Sequence, residues 1–437
     1  MKKAKFFAYL NKYALAESIT GETDSGALRR AVVIPARGEN TELPATLQSL
    51  EKNPAEDCRA TLVTVVVNGV SPYDVSTRSL HAETVADARE IQAANLRTLQ
   101  WLAAKAGESP LHLTWIDHAS RGREFSPRQG VALARKIGAD SILSLLFSRL
   151  TGRAGKEQEL ENFPILHLDA DTLVDRHYLR AVDAGLRNSG KEAAVIDFRH
   201  RLPDSSVAVR KAVTAYDVYL RYYARGLRFA GSPYAFHTIG SAMASTLGGY
   251  VKAGGIPAQR EAGEDFYFLQ QLRKITEIES ICDTTVYPSG RIESRNIFGT
   301  GKGIQAMLAA EESGYPVYSP EIFCQLQTAL RVITENITAS PEDILTGIDE
   351  SIIRNFLLEK GFLTVMKKWQ HNYRRRADLR HAFQVWFDAL ATYRLIRRMS
   401  SDPAYPPRPL LEAWTELANY CRCKFCSTPN MRATGML

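Results

Sequence analysis

Apolar and polar positions follow two rhythms in the first half of the chain. Short unbroken apolar runs predict buried strands, and helically spaced leucines and alanines between them predict helices. Residues 30–35 (RAVVIP) form the first run, and residues 60–67 (ATLVTVVV) the second, which ends at Asn68-Gly69. Residues 112–117 (HLTWID) read as a third strand and residues 163–168 (FPILHL) as a fourth. Between them, residues 42–52 put Leu43, Leu47 and Leu50 on one helical face. Residues 82–106 form a long helix, and residues 129–138 another. Strands alternating with helices predict a parallel sheet with right-handed crossovers, covered on both faces.

The rhythm then loosens. Residues 140–162 read as an insertion with a helical apolar start (Ile142, Leu143, Leu145, Leu146, Phe147) and a loop at 152–156. Residues 178–188 predict a helix, 192–199 a strand, and 208–228 a helix rich in Tyr and Arg. A Gly-rich stretch spans 231–260. Gly263-Glu264-Asp265 leads into a helix, and 280–287 is a last strand. From about Gly303 the pattern is helical, broken by prolines. The expected organisation is a helical lead-in over 1–29, an α/β domain over 30–302 and a helical region over 303–437. No internal repeat is visible, and no run of 18 apolar residues predicts a membrane span. The basic N-terminus resembles the start of a signal peptide, but Asn11 and Lys12 interrupt its apolar part, so an amphipathic helix is expected. The expected location is the cytoplasm, with peripheral attachment at the inner membrane surface as its nearest variant.

Candidate chemistry begins with Asp169-Ala170-Asp171, just past the fourth strand. Carboxylates there sit at the edge where open α/β sheets bind ligands. They can offer oxygens to Mg²⁺ or Mn²⁺, which in turn can hold a diphosphate. A D-x-D tripeptide is common by chance, and its weight comes from its neighbours. The first strand runs into Pro35-Ala36-Arg37-Gly38-Glu39-Asn40. The helix after the third strand reads GVALARKIG over 130–138, with Arg135 inside it. Later come Gly248-Gly249-Tyr250 and Gly263-Glu264-Asp265-Phe266.

In order and spacing these motifs resemble the GT-A glycosyltransferases, in particular the large inverting family 2. That pattern runs V-I-P-x-x-N-E, a strand ending in a polar residue, G-x-x-x-A-R-N-x-G, D-x-D, and G-G-[FY] followed by an E-D pair. The resemblance covers about residues 30–300. It implies a mixed α/β sheet flanked by helices, with the C-terminal helical segment outside it. It also implies transfer of a sugar from a nucleotide-diphospho-sugar donor to a hydroxyl, with inversion and with Mn²⁺ or Mg²⁺.

Position by position, the resemblance implies that Pro35, Ala36, Arg37 and Glu39 border the base and ribose. Asn68 stands where many members have an Asp that contacts uracil, which leaves uracil, guanine and thymine open. Arg135 would contact the nucleotide or the D-x-D region, and Lys136 replaces the Asn that follows it. Asp169, Ala170 and Asp171 would line the donor site, with Asp171 the more direct metal ligand. Asp265 matches the general base, preceded by Glu264. A carboxylate at a helix N-terminus can take an acceptor proton, and the helix dipole is expected to keep it ionised. Simple capping is the alternative reading of the same pair.

Arg291, Arg295 and Lys302 follow the last strand among glycines, as suits a cover over phosphates; a solvated turn reads equally well. His237, Gly240, Ser241 and Gly249 are candidates for the acceptor side. The net charge of +7 and pI of about 9.0 suit phosphorylated ligands, nucleic acid or an anionic membrane without choosing between them. The resemblance selects the nucleotide sugar, with no nucleic acid partner expected. The acceptor is left open among saccharides, lipid-linked molecules and small molecules. Residues 367–376 (KKWQHNYRRR) form a basic aromatic patch that reads as an exposed helix face or as a contact for an anionic membrane. Cys421, Cys423 and Cys426 give three thiols without a fourth ligand, so reduced cysteines are expected. Rival readings are a retaining GT-A enzyme, a sugar nucleotidyltransferase and a non-catalytic binding protein.

Overall fold

A computed structural model describes residues 3–21, 28–71, 84–150, 157–258, 263–292 and 300–422. The chain divides into two compact units. One comprises Met1–Val213 and Phe236–Gln305, the other Thr214–Ala235 and Ala306–Leu437.

The first unit is built on an eight-stranded sheet in the order β3-β2-β1-β4-β7-β6-β8-β5. Its strands are β1 (Arg30–Ala36), β2 (Thr61–Asn68), β3 (His112–His118) and β4 (Pro164–His167). They continue with β5 (Leu173–Val174), β6 (Ala193–Phe198), β7 (Met243–Thr246) and β8 (Ile278–Tyr287). The helices around it begin with α1 (Lys3–Lys12), α2 (Leu43–Glu51), α3 (Ala55–Arg59), α4 (Val85–Lys105) and α5 (Val131–Leu150). They go on through α6 (Glu157–Glu161), α7 (Tyr178–Ser189), α8 (Val207–Phe229), α9 (Leu247–Lys252) and α10 (Glu264–Ile275). Helix α8 runs across the boundary between Val213 and Thr214, and most of it belongs to the second unit.

Strands β3, β2, β1 and β4 are mutually parallel, with β1 between β2 and β4. The chain leaves β1 for β2 on one side and returns to β4 on the other. The carboxyl ends of β1 and β4 therefore flank a topological switch point, the place where such sheets open a crevice. Strand β7 runs antiparallel to both β4 and β6, so the sheet is mixed and not wholly parallel. Strand β6 pairs in parallel with β8, while β5 lies antiparallel on β8.

Every residue of β1 and β2 is buried, as their unbroken apolar sequences require of central strands. Helix α5 covers them. A Cβ on Gly138 would come within 2.7 Å of Val33 Cγ1, so only glycine allows this close approach. The helix runs unbroken to Leu150, where the sequence suggested one helix to Gly138 and then an insertion. Asp140 on α5 is fully buried and accepts from Tyr9 and Tyr250 hydroxyls, each at 2.8 Å, and from the Leu15 N–H at 2.7 Å. Lys136 lies 2.9 Å from the same carboxylate and supplies the cation that a buried charge needs. The network fastens α1 to the helix that carries Arg135.

In the second unit the described elements after α8 are mainly helical. They run from the latter part of α11 (Thr300–Ala309) through α12 (Pro320–Glu335), α13 (Pro341–Thr346), α14 (Ser351–Glu359) and α15 (Phe362–Asn372). Helices α16 (Arg376–Trp386), α17 (Ala389–Ser400) and α18 (Leu410–Arg422) complete it, with a short pair β9 (Pro316–Val317) and β10 (Arg408–Pro409). Phe362, Phe383, Trp386 and Phe387 form its aromatic centre. Among the described residues, no helix is long and apolar enough to cross a membrane.

Candidate active site

The carboxyl ends of β1, β2, β4, β6 and β8 and the start of β7 share one edge of the sheet, and most of the expected site residues meet there. Pro35 and Ala36 close β1, with Arg37 and Glu39 just beyond, and Asn68 closes β2. Asp169-Ala170-Asp171 follows β4. Its backbone is pinned by Thr46, whose hydroxyl donates to the Ala170 carbonyl at 2.8 Å, and by the Leu168 N–H bonded to Val33 O at 3.1 Å.

Arg135 joins this edge to the start of α10. Its guanidinium is 1 % exposed, pairs with Asp169, and lies 3.3 Å from Glu264 Oε1 and 3.3 Å from the Leu168 carbonyl. Burial works against its charge, yet Asp169, Glu264 and Asp265 outweigh that and raise its pKa. Two acidic motifs nearly a hundred residues apart in sequence thus share one buried cation. Gly240 leaves the room: a Cβ there would meet Arg135 Nη2 at 2.7 Å.

Asp265 sits in the first turn of α10 and accepts from the Phe266 N–H at 2.7 Å. Its carboxyl is pushed up to about 7, by burial first and then by the neighbouring Glu264 charge. The helix N-terminus was expected to keep it ionised. Desolvation and a second carboxylate prevail here, because the dipole effect is commonly below ~1 kcal/mol.

Asn68 is buried, and its side-chain oxygen has no hydrogen-bond partner among the described residues. An unpaired buried acceptor is costly, which marks it as a place for a donor group. Asn95 on α4, a residue that sequence reading passed over, fixes this corner. It accepts from the Gly38 N–H at 2.8 Å and donates to the Asn68 carbonyl at 3.0 Å. A single Asn in mid-helix carries no signal beyond polarity, so only the fold reveals it. Arg201, beyond β6, was also passed over. It donates to the Asp171 carbonyl at 2.7 Å and pairs with Glu42 at 3.1 Å. Arg291, beyond β8, pairs with both Glu39 and Asp171.

The remaining candidates are distributed differently. His237 bonds the Ile196 carbonyl at 2.8 Å beside Phe198, and Ser241 is buried immediately before β7, both toward the same edge. Gly249 lies on α9, past the far end of β7, against the Glu192 backbone, and is not brought together with the rest. Lys136 turns to Asp140 and Tyr9. Lys302 is exposed in the first turn of α11. Arg295, Cys423 and Cys426 lie outside the described residues, as does the side chain of Cys421. In the patch at 367–376, Lys367 pairs with Glu342 at 2.6 Å and Arg375 with Asp378 at 2.8 Å. A separate cleft of about 1060 Å³ lies between α5 and the segment after α1, lined by Glu17, His118 and Ser144 among others, and contains none of the site residues.

Mg²⁺ and Mn²⁺ prefer six oxygens, and one or two carboxylates with phosphate oxygens and water satisfy them. Asp169 and Asp171 can supply carboxylates of that kind. Among the described residues, no group of three or more His, Cys, Asp or Glu side chains gathers to form a cage. The residues fit a metal shared with a diphosphate, and do not fit one held by protein alone.

No protein-family model matches the chain, and no curated protein matches it. Among solved structures, a fragment of S. aureus TarS in complex with UDP-GlcNAc is 13% identical, with 84% of this chain and 92% of that one covered at a TM-score of 0.35. The same fragment with UDP gives 12% identity, coverage of 84% and 91%, and a TM-score of 0.37. The mannosyltransferase PcManGT from Pyrobaculum calidifontis, in complex with GDP-Man and Mn²⁺, is 16% identical, with coverage of 87% and 93% and a TM-score of 0.35. These overlaps are loose.

Proposed function

We propose that the protein is a metal-dependent, inverting glycosyltransferase that moves a sugar from a nucleotide-diphospho-sugar to a hydroxyl acceptor. The observation that carries this reading is Arg135, which holds Asp169 and Glu264 on one guanidinium at the switch point of the sheet. Donor-site carboxylates and a carboxylate able to act as base are thereby neighbours.

In this reading Asp265 takes the acceptor hydroxyl proton as the oxygen attacks the anomeric carbon in line. A carboxyl titrating at about 7 is a stronger base than an ordinary carboxylate and is still largely deprotonated just above neutrality. Burial and the neighbouring Glu264 charge keep Asp265 basic, while Arg135 bridges Glu264 to Asp169. Asp171, with Asp169 beside it, would hold Mn²⁺ or Mg²⁺ against the donor diphosphate. That ion, when bound, offsets charge on the leaving diphosphate. Pro35, Ala36, Arg37 and Glu39 border the nucleoside. Asn68 Oδ1 would accept the ring N–H of uracil, thymine or guanine, a proton that neutral adenine and cytosine rings lack. Arg291, paired with Glu39 and Asp171, would face the diphosphate, and His237, Gly240 and Ser241 would face the acceptor.

Calorimetric titration of UDP, dTDP and GDP, each with Mn²⁺, tests the donor site. The wild type binds one of them, and Asp171→Asn weakens that binding at least tenfold. Equal affinity in the variant would remove Asp171 from the site.

A further inference from the structure

Arg291 occupies the middle of the proposed donor site. It pairs with Glu39, on the loop after β1, and its Nη2 lies 3.3 Å from Asp171 Oδ2. The segment that presents it is anchored: the Gly290 N–H donates to Arg201 O at 3.1 Å, and Arg201 in turn donates to the Asp171 carbonyl at 2.7 Å. Asp171 is thus gripped at its carboxylate by one arginine and at its backbone by another. Both arginine side chains are only about one-third exposed.

We infer that Arg291 is an internal counter-ion, which holds Glu39 and Asp171 in the donor-free protein and makes metal and nucleotide bind together. The inference rests on the donor-site reading above. A divalent cation arriving alone must contend with a guanidinium beside its ligand, and displacing it breaks the Arg291–Asp171 pair with no phosphate there to replace it. A diphosphate arriving alone meets the Asp171 carboxylate. With both present, Asp171 would hold the metal, Arg291 would turn to phosphate oxygens, and Glu39 would be freed toward the ribose. The guanidinium exchanges one set of charge-assisted hydrogen bonds for another. Each ligand therefore raises the affinity of the other, and by linkage the two factors are equal.

Binding of Mn²⁺ alone, followed by electron paramagnetic resonance of the free ion, tests this in the full chain. Wild type binds Mn²⁺ weakly, and UDP or GDP tightens it. Arg291→Gln is expected to bind Mn²⁺ alone about fivefold more tightly, while the gain from nucleotide shrinks. Arg291→Lys, which keeps the charge, stays near wild type for Mn²⁺ alone and guards against a folding defect in the first variant. An affinity of Arg291→Gln for Mn²⁺ alone no higher than wild type overturns the inference. If Arg291→Gln gains Mn²⁺ affinity but neither nucleotide binds any form of the protein, the counter-ion contact stands and the donor reading falls.

Discussion

Replacing Arg135 with methionine keeps most of the side-chain volume and removes the charge. Three contacts go with it: the pair with Asp169, the pair with Glu264 at 3.3 Å and the bond to the Leu168 carbonyl at 3.3 Å. Glu264, whose side chain is 8 % exposed, is left without its cation. Removing one partner of a buried pair costs about 3–5 kcal/mol. Asp169 is more than one-third exposed, so water screens its share and the lower end, ~3 kcal/mol, is the better figure. Hydrogen exchange of peptides covering β1 and β4 reads this locally, without assuming that the two units unfold together. A loss of ~3 kcal/mol corresponds to exchange faster by about 150-fold. Adding Glu264→Gln removes the stranded charge and should recover a substantial part of the protection. Exchange within about threefold of wild type, or no rescue by Glu264→Gln, would refute the view that Arg135 binds the two acidic motifs into one site.

Asp265 titrates at about 7 in the folded protein against an ordinary 3.8, so between those values the native state keeps a proton the unfolded chain has lost. Its contribution to stability is therefore full below about pH 4 and disappears as pH rises through about 7; Asp265→Asn should flatten that slope in pH-dependent unfolding. Activity should move the other way, with kcat/KM rising with pH up to about 7 and levelling above it, read from a pH–rate profile. Asn95→Ala removes the bonds to Gly38 and to the Asn68 carbonyl. It should cost about 1–2 kcal/mol and weaken nucleotide affinity without changing the pH profile, measured by urea unfolding and calorimetry.

Much of the scaffold was legible because it depends on local sequence. The valine-rich β1 and β2 and the apolar β4 advertise themselves as buried strands, β3 as an apolar-cored strand that proves half-buried at the sheet edge, and each lies within a residue or two of where the runs predict it. Strand β7 was hidden. It is four residues long, sits in a Gly-rich stretch, and owes its extended form to β4 and β6 on either side. The single span of α5 was missed because Gly138 reads as a stop, whereas here it serves a close approach to Val33. The acidic motifs were visible as residues, but their union through Arg135 was not, since the contacts join positions 129 and 34 residues apart in sequence. The raised pKa of Asp265 was not legible for a related reason: a helix N-terminus can be read from sequence, while burial beside Glu264 belongs to the assembled site.

The measurement that bears most directly on the proposed activity is nucleoside diphosphate release from UDP-, dTDP- and GDP-sugars with Mn²⁺, by wild type and by Asp265→Asn. The account predicts release by the wild type from at least one donor, and a rate lower by about a hundredfold or more in Asp265→Asn with donor affinity retained. No release by the wild type from any of these donors, or an undiminished rate in Asp265→Asn, would contradict it.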